Sequence, residues 1–437
     1  MPVDAPVMRV FRDYVDKAAV QAEVAGAFFS GIEGLAGGDC RRRCEQGGLS
    51  TLHLHFPAES VHLLEVFVSQ RIKRRMLEWS AAMGKQDLGY QGDFLVEDLL
   101  VVRVHYPHSH IGATSGPAQR PRFDQRIRYG AASALERARD AFDSKGSLKL
   151  AKRVWEYSRQ RRKRAALPLP YRCHAPHLDS WLGQPMSSLS VWLAIAGVDR
   201  DNSLCLYPDT FGKTLPFNGS QFLGTGFCLP KPLRPDLADG DLFVFSTDIL
   251  HGSQVNVSDK TRIALTTRID PGTPTFSKDS LWFVQRWYSS TGIERRRWRH
   301  TIVRAAEHSV ERPQDAIGLQ SSQTVTIARA FQPNESYEIG PSTLIPDGGK
   351  IAVQFDNRRV LIVRDDGRLY ATSAMCPHEG YRIDEGYHEG CTLVCPGHGL
   401  EFDARTGHSA LARYRLSTFK VLEKTGTIFV VHSDASA

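Results

Sequence analysis

Two short stretches hold most of the residues that could do chemistry. Near the C-terminus the chain reads CPHEGYRIDEGYHEGCTLVCPGHG over residues 376–399. Cys376 and His378 form a Cys-x-His pair, and Cys395 and His398 form a Cys-x-x-His pair. Two thiolates and two neutral imidazoles on facing loops can cage a two-iron, two-sulfide cluster. Replacing thiolate by imidazole at one iron removes negative charge and raises the potential. Both loops need tight turns, which Pro377, Gly380, Pro396, Gly397 and Gly399 provide. A Cys2His2 zinc site is the plain alternative, but zinc knuckles usually pair Cys with Cys. Upstream, RCHAPHLDSW places His177 two residues before Asp179. On a strand, residues i and i+2 face the same way, so both can reach one metal. His251, in ILHGSQVNVS, offers a third ligand. Two His and one carboxylate on one face of Fe(II) leave open positions for a cosubstrate and O2. A lone His-x-Asp is more often structural, so its surroundings must decide.

Those surroundings read as a helical segment followed by many short strands. SVHLLEVFVSQRIKRRMLEWSAAMG (60–84) is apolar at helical spacing and is expected to stop at Gly84. LLVVRVHYP (99–107) reads as a strand, and 131–165 as a helix. Four β-rich runs follow at 187–198, 202–211, 240–250 and 261–270, separated by Gly, Asp, Asn and Pro, as in a barrel or sandwich. Residues 306–326 are polar and mixed and read as a linker. KIAVQF, RRVLIVRD, RLYATSA and TIFVVHS then give a small all-β unit. The expected organisation is a unit over 1–305, a linker over 306–326 and a second unit over 327–437.

At 437 residues the chain is too long for one core. Apolar content of 41% fits a globular protein rather than a disordered one. No run of eighteen apolar residues reads as a membrane span, and the charged N-terminus lacks a signal-peptide core, so a cytoplasmic protein is expected. Eight cysteines in this length do not make a disulfide framework. Cys40 and Cys44 flank three arginines without a second pair nearby and read as a surface loop. The net charge of +7 includes basic clusters at 41–43, 71–75 and 159–164. The last adjoins Leu150, Val154 and Tyr157 at helical spacing, so a solvated helix face is preferred to nucleic-acid binding. An anionic substrate or acidic redox partner also suits this charge.

The C-terminal motif resembles the Rieske ferredoxin family over roughly residues 327–433, including LYAT before the first loop and FDARTG after the second. The resemblance implies a [2Fe–2S] cluster held by Cys376, His378, Cys395 and His398. Respiratory Rieske proteins carry an additional disulfide-forming cysteine in each loop. Here Glu-Gly-Tyr follows His378, Gly397 precedes His398, and Cys391 has no obvious partner. That points to the ferredoxin type, with a potential near about −150 mV. Leu400 stands where the family commonly has Trp.

GDLFVFSTDILHGS followed by TRIALTTRID resembles the last strands of the 2-oxoglutarate-dependent oxygenases, and SVWLAIAGVDRDNSLCLYPDTFGK resembles the phytanoyl-CoA dioxygenase branch over roughly 95–275. Pro208-Asp209-Thr210 departs from that branch's usual Pro-Gly turn. The resemblance implies an α+β fold: a double-stranded β-helix (jelly-roll, cupin-like) core with surrounding helices, beside the small all-β Rieske domain. It implies Fe(II) at His177, Asp179 and His251, and 2-oxoglutarate with its distal carboxylate on Arg262, eleven residues after His251. A guanidinium fork suits a carboxylate. Ser253 could add a hydrogen bond to the same group, and Trp192 could line that pocket or simply fill the core. Arg268 reads as a surface or substrate-facing strand residue. His105, His108 and His110 read as a loop at the barrel mouth, and His174 as either a support for the metal ligands or a plain strand residue.

The implied activity is 2-oxoglutarate-dependent oxidation of a C–H bond of a small molecule by O2, with succinate and CO2 as co-products. The retained Asp179 disfavours halogenation. 2-Oxoglutarate already supplies two electrons per turnover, so the fused cluster is expected to supply electrons to, or re-reduce, the iron. An NAD(P)H-dependent ferredoxin reductase is a candidate donor; no nucleic-acid or membrane partner is expected. Two alternatives stand. One is a Rieske-type non-haem iron oxygenase fed by a reductase without 2-oxoglutarate, although that family's domain order is reversed. The other is a redox carrier or sensor with an inactive barrel.

Overall fold

The computed structural model describes residues 6–14, 17–112, 169–216, 223–277, 284–304, 308–310 and 319–432. The expected helix over 131–165, with its basic run, lies outside them. Helices α1 (Lys17–Ala36), α2 (Gly38–Gly47) and α3 (Val61–Gln86) open the chain. In α3, Val61, Leu64, Val68, Ile72, Met76, Trp79 and Met83 are buried at three- and four-residue spacing, one apolar stripe. Gly84 does not end the helix as expected. A Cβ there would meet the Phe94 ring at 2.4 Å, so its role is close packing. Cys40 and Cys44 are not on a surface loop. They sit four residues apart on α2, both buried, and the Cys40 thiol donates to the His55 carbonyl.

The strands of the first unit, numbered in chain order, are β1 (Met8–Phe11), β2 (Leu95–Glu97), β3 (Val101–His105), β4 (Leu189–Ala196), β5 (Leu204–Tyr207), β6 (Phe227–Cys228), β7 (Leu242–Ser246), β8 (Leu250–Ser253), β9 (Arg262–Asp270), β10 (Phe276–Ser277), β11 (Val284–Ser289) and β12 (His300–Arg304). An eight-stranded sheet runs β1-β7-β4-β9-β2-β11-β12, with β3 also on β9. β5 pairs with β8 in a separate small sheet. Isolated bridges extend it on both sides: His177 to His251 and Leu206 to Leu233.

Residue alternation sorts the large sheet's two faces. Leu189, Val191, Leu193 and Ile195 of β4, Leu242 and Val244 of β7, and Ile263, Leu265 and Ile269 of β9 share one core with the helices. Trp192, Ala194, Phe243, Phe245 and Ala264 pack instead against Leu204 and Leu206 of the small sheet. Both faces are therefore covered, which explains the near-continuous apolar runs. The same alternation puts Arg262 and Arg268 on the Ala264 face of β9, towards the small sheet.

In the second unit seven strands form one sheet, in the order Thr324–Ile327, Lys350–Phe355, Arg359–Asp365, Arg368–Ser373, Thr418–Lys424, Thr427–Val431 and Ser336–Pro341. A three-stranded sheet of His388–Glu389, Thr392–Val394 and Glu401–Asp403 stands beside it. The stretch expected to be a linker is tied down wherever it is described. Ser309–Val310 pairs with β10, Gln320–Ser321 with β6, and Thr324–Ile327 with Lys350–Phe355. Among the described residues no helix is long and apolar enough to cross a membrane.

Candidate metal centres

His177 and His251 meet as a hydrogen-bonded antiparallel pair. The His177 N–H donates to the His251 carbonyl at 2.9 Å, and the His251 N–H donates back at 3.0 Å. Residues opposite each other in such a ladder send their side chains to one face, and the imidazole centroids lie 4.6 Å apart. Asp179 begins a 3-10 turn just after this bridge. Its Oδ1 is 3.7 Å from His177 Nε2 and 3.9 Å from His251 Nε2. One ligand atom from each residue falls within 4.8 Å of the others, and all three side chains are buried.

The surroundings prepare these atoms to bind a cation. Each Nδ1 lies 2.8 Å from a backbone carbonyl, Ala175 for His177 and Ile249 for His251. A carbonyl only accepts, so Nδ1 carries the proton and Nε2 keeps its lone pair for a metal. Burial, reinforced by the neighbouring His251, lowers the His177 pKa to about 4, so its imidazole is neutral near pH 7. Burial opposes the Asp179 charge, but Arg268, His251 and His177 outweigh it and hold the carboxyl below its ordinary range. Asp179 Oδ2 accepts from Arg268 Nε at 3.0 Å and from the Ser190 hydroxyl at 2.9 Å. Ser190 and Arg268 are cross-strand partners on β4 and β9. With Oδ2 so occupied, Oδ1 remains for a single metal bond. Two imidazole nitrogens and one carboxylate oxygen are a donor set that suits Fe(II).

Arg268 is thus not on the surface. It is buried, and a second ion pair joins its Nη1 to Glu97 at 3.0 Å. Gln184 Nε2 completes the group by donating to Glu97 at 2.9 Å. His174 places its ring 5.9 Å from that of His177, and its carbonyl accepts from the Ser253 N–H at 2.8 Å.

Arg262 is 1% exposed and makes no salt bridge among the described residues. Its Nη1 donates to the carbonyls of Asn202 at 3.1 Å and Ser203 at 3.4 Å, while Nε is buried without a hydrogen bond. Burial lowers its pKa to about 10, which leaves it charged near neutrality. The Trp192 ring lies 5.8 Å from the guanidinium carbon. Trp192 is buried in the core between the sheets, as the core-filling expectation has it. Ser253 is buried at the end of β8, opposite Leu204 and next to the backbone that Arg262 touches.

The two C-terminal loops close alike. The Gly380 N–H donates to the Cys376 carbonyl at 2.8 Å, and the Gly399 N–H to the Cys395 carbonyl at 3.0 Å. The Cys376 and Tyr381 backbones are linked just as those of Cys395 and Leu400 are. Gly380 and Gly399 sit at φ of 74° and 67°, where glycine has no Cβ penalty. The two thiols lie side by side and are buried, and the His378 and His398 rings are 5.0 Å apart. Both ring nitrogens of His378 are buried without a hydrogen bond. A metal would satisfy one of them. Leu400 is buried in this apolar cluster, and Cys391 donates to Asp365 at 3.2 Å.

This loop end of the second unit rests on the first. The Val255 N–H donates to the His398 carbonyl at 3.0 Å. Arg234 Nη2 donates to the Gly399 carbonyl at 2.8 Å and pairs with Glu401. The three histidines expected together at a barrel mouth have separate surroundings, His105 and His108 buried and His110 half-buried. His105 pairs with Arg262 in the ladder, the His108 ring lies 5.1 Å from His378, and the His110 ring lies 4.5 Å from His53. Sequence reasoning missed Ser190, Glu97 and Arg234, and did not foresee His108 beside His378 or Arg268 beside Asp179. Only Arg268 left a signal, its even spacing from Arg262 on one strand.

Residues 335–420 match the family of Rieske [2Fe-2S] domains, and this part of the chain is a Rieske [2Fe–2S] domain. It is homologous to ferredoxins of Rieske oxygenase systems. The ferredoxin component of the naphthalene 1,2-dioxygenase/salicylate 5-hydroxylase systems of Ralstonia sp is 33% identical over 63 residues, 14% of this chain and 61% of that protein. The ferredoxin component of the naphthalene 1,2-dioxygenase system of Pseudomonas aeruginosa is 32% identical over 68 residues, 16% of this chain and 65% of that protein. A 4beta-methylsterol monooxygenase of Methylococcus capsulatus (strain ATCC 33009 / NCIMB 11132 / Bath) is 31% identical over 94 residues, 19% of this chain and 26% of that protein. The chain therefore spans less than two thirds of the length of these relatives. Among solved structures, the ferredoxin of carbazole 1,9a-dioxygenase from Nocardioides aromaticivorans IC177 aligns at 25% identity over 22% of this chain and 96% of that chain, with a TM-score of 0.21.

Proposed function

We propose that this protein is an Fe(II)- and 2-oxoglutarate-dependent dioxygenase that hydroxylates a C–H bond of a small molecule, with a Rieske domain that supplies electrons to, or re-reduces, the active-site iron. Residues 1–305 are the oxygenase unit on this reading, with a double-stranded β-helix core over about 95–275, and 327–437 the Rieske unit. The small sheet extended through His177 and Leu233, packed on the large sheet, supports that core.

Arg262 carries the proposal. A buried cation without a carboxylate costs several kcal/mol unless an anion completes it. This one lies on the inward face of β9, as Arg268 does, and Arg268 holds the ligand Asp179. A dicarboxylate chelating the metal through its keto-acid end would offer its other carboxylate to Arg262. The chain's own contributions are then separable. His177, Asp179 and His251 hold the metal; Arg268 and Ser190 fix Asp179 Oδ1 towards it; Arg262 selects a dianionic cosubstrate; and the buried setting excludes water. Bound iron would supply O2 activation and C–H oxidation.

Oxygen uptake and succinate release that both require added Fe(II) and 2-oxoglutarate are the expected result, in a screen of small-molecule substrates with the cluster intact. Uptake that needs only a reductase and NADH would overturn this reading in favour of a Rieske-type oxygenase. The contact between Val255 and His398 supports either reading, since both have the cluster pass electrons to the iron. The role of the cluster has its own test. Cys376→Ser is expected to shorten productive lifetime before it lowers the first-turnover rate. Full sustained turnover of that variant without ascorbate rules out re-reduction.

A further inference from the structure

We infer that the cluster and the iron site exchange electrons within a single chain, through the segment Ser253–Val255 and the hydrogen bond from the Val255 N–H to the His398 carbonyl. This rests on the metal reading of both sites, and on neither 2-oxoglutarate nor the substrate.

The connection is short. His251 and Val255 are four residues apart, and four residues span at most about 14 Å of chain. At the far end the peptide N–H of Val255 is 3.0 Å from the carbonyl oxygen of His398. A second contact arrives from the neighbouring strand. A Cβ built on Gly399 would meet Cys205 Sγ at 2.9 Å, so the cluster loop lies directly against β5. The next residue of β5, Leu206, is the ladder partner of His251. Both contacts thus start at the second cluster loop and end at the same iron ligand.

The ligand edge of the cluster is also closed to other proteins. The side chains of His378 and His398 are each 1% exposed. His108 covers His378 from the first unit, with Tyr414 at a ring distance of 5.3 Å. Val255 is buried in the same apolar cluster as Cys376 and Cys395, and Cys173 and Val257 pack against it. A ferredoxin that served a separate oxygenase would need an imidazole edge a partner could touch. The junction is fastened well away from the ligands too. Glu385 accepts from the Leu229 N–H through its carbonyl at 2.8 Å and from the Gly226 N–H through Oε1 at 2.7 Å. Arg413 donates to the Ile111 carbonyl at 3.1 Å.

The step is a single electron transfer. The reduced cluster, one ferrous and one ferric ion, becomes diferric, and a mononuclear Fe(III) becomes Fe(II). No bond to carbon or oxygen is made or broken. A one-electron donor of the flavoprotein reductase class, or dithionite in the cuvette, refills the cluster.

Two measurements decide it. In the first, Co(II) is loaded at His177, Asp179 and His251, and the electron spin relaxation of the dithionite-reduced cluster is recorded. Relaxation is expected to quicken severalfold on loading, and equally at low and high protein concentration. A protein that takes up Co(II) with no change in relaxation, or with an effect that fades on dilution, overturns the intrachain connection alone. A protein that binds no Co(II) overturns the iron reading as well. In the second, His177→Ala chains, which keep the cluster, are mixed with Fe(III)-loaded Cys376→Ser chains. The ferric signal is expected to persist in the mixture and to vanish in the reduced wild-type chain. Loss in the mixture would show transfer between chains and end the proposal. Val255→Pro, which removes the N–H donor, is expected to slow reduction of the ferric site severalfold, and Val255→Ile to leave it unchanged.

Discussion

Replacing Arg262 with methionine separates a cosubstrate-binding arginine from a core-filling one. The substitution removes a buried cation that has no carboxylate partner among the described residues, and keeps most of the volume. It leaves the Asn202 and Ser203 carbonyls without their donor, at a cost of about 1 kcal/mol each. Removal of an uncompensated buried charge acts in the opposite direction by a similar or larger amount. The protein without 2-oxoglutarate should therefore melt within a few degrees of wild type, or above it. Cosubstrate binding should respond very differently. Charge-assisted hydrogen bonds contribute about 1.5–3 kcal/mol each, so loss of a two-bond fork weakens 2-oxoglutarate by about 3–6 kcal/mol, or at least about 100-fold in Kd. Calorimetric titration of the anaerobic Fe(II) form reads this directly. Thermal shift gives a second check, because a ligand at a hundred times its Kd stabilises by about 2.7 kcal/mol. Wild type should show that increment and Arg262→Met should not. Unchanged 2-oxoglutarate affinity in a folded variant would refute the assignment. A variant several kcal/mol less stable with normal affinity would show that the guanidinium serves the core.

Four further outcomes follow from the same geometry. Arg268→Met strands Asp179 and Glu97 as buried carboxylates, so denaturant titration should show a loss of about 3–5 kcal/mol. Fe(II) affinity should fall about 10- to 100-fold, and an Arg268→Met protein as stable as wild type would contradict this. His53 should make folding acid-sensitive. Burial lowers its pKa to about 4 from an ordinary 6.5, so the unfolded chain takes up the proton first. Its stabilisation is complete above pH 6.5 and declines towards pH 4, by up to about 3 kcal/mol, and His53→Gln should flatten the denaturation profile in that window. Gly397→Ala should drive a Cβ into the Tyr381 ring, 2.4 Å away, and lower cluster content after reconstitution. The pair Gly397→Ala with Tyr381→Leu should recover part of the visible absorbance. Cys376→Ser should lose that absorbance while still binding Fe(II) at the first site, and joint loss of both metals would contradict two separable centres.

The side chains that cluster at the two sites were legible in the sequence because much of their geometry is local. A Cys-x-His loop closed by a glycine four residues after the cysteine, or a His-x-Asp on extended chain, needs only the few residues around it. Strand alternation is equally local, and it placed β4, β7 and β9 close to where the structure has them. Other features needed the folded chain. Arg268 meets Asp179 across 89 positions and Glu97 across 171, partners that no short-range pattern names. Gly84 looked like a helix stop because nothing nearby announces Phe94 packing against it. His108 looked like part of a mouth loop because the surface that buries it belongs to the second unit. Charge and spacing determine which side chains are able to bind a metal. Which carboxylate oxygen is tied back, which guanidinium is left without a partner, and which carbonyl of the cluster loop meets Val255 depend on how two separately patterned sheets are pressed together, and that register exists only in the tertiary structure.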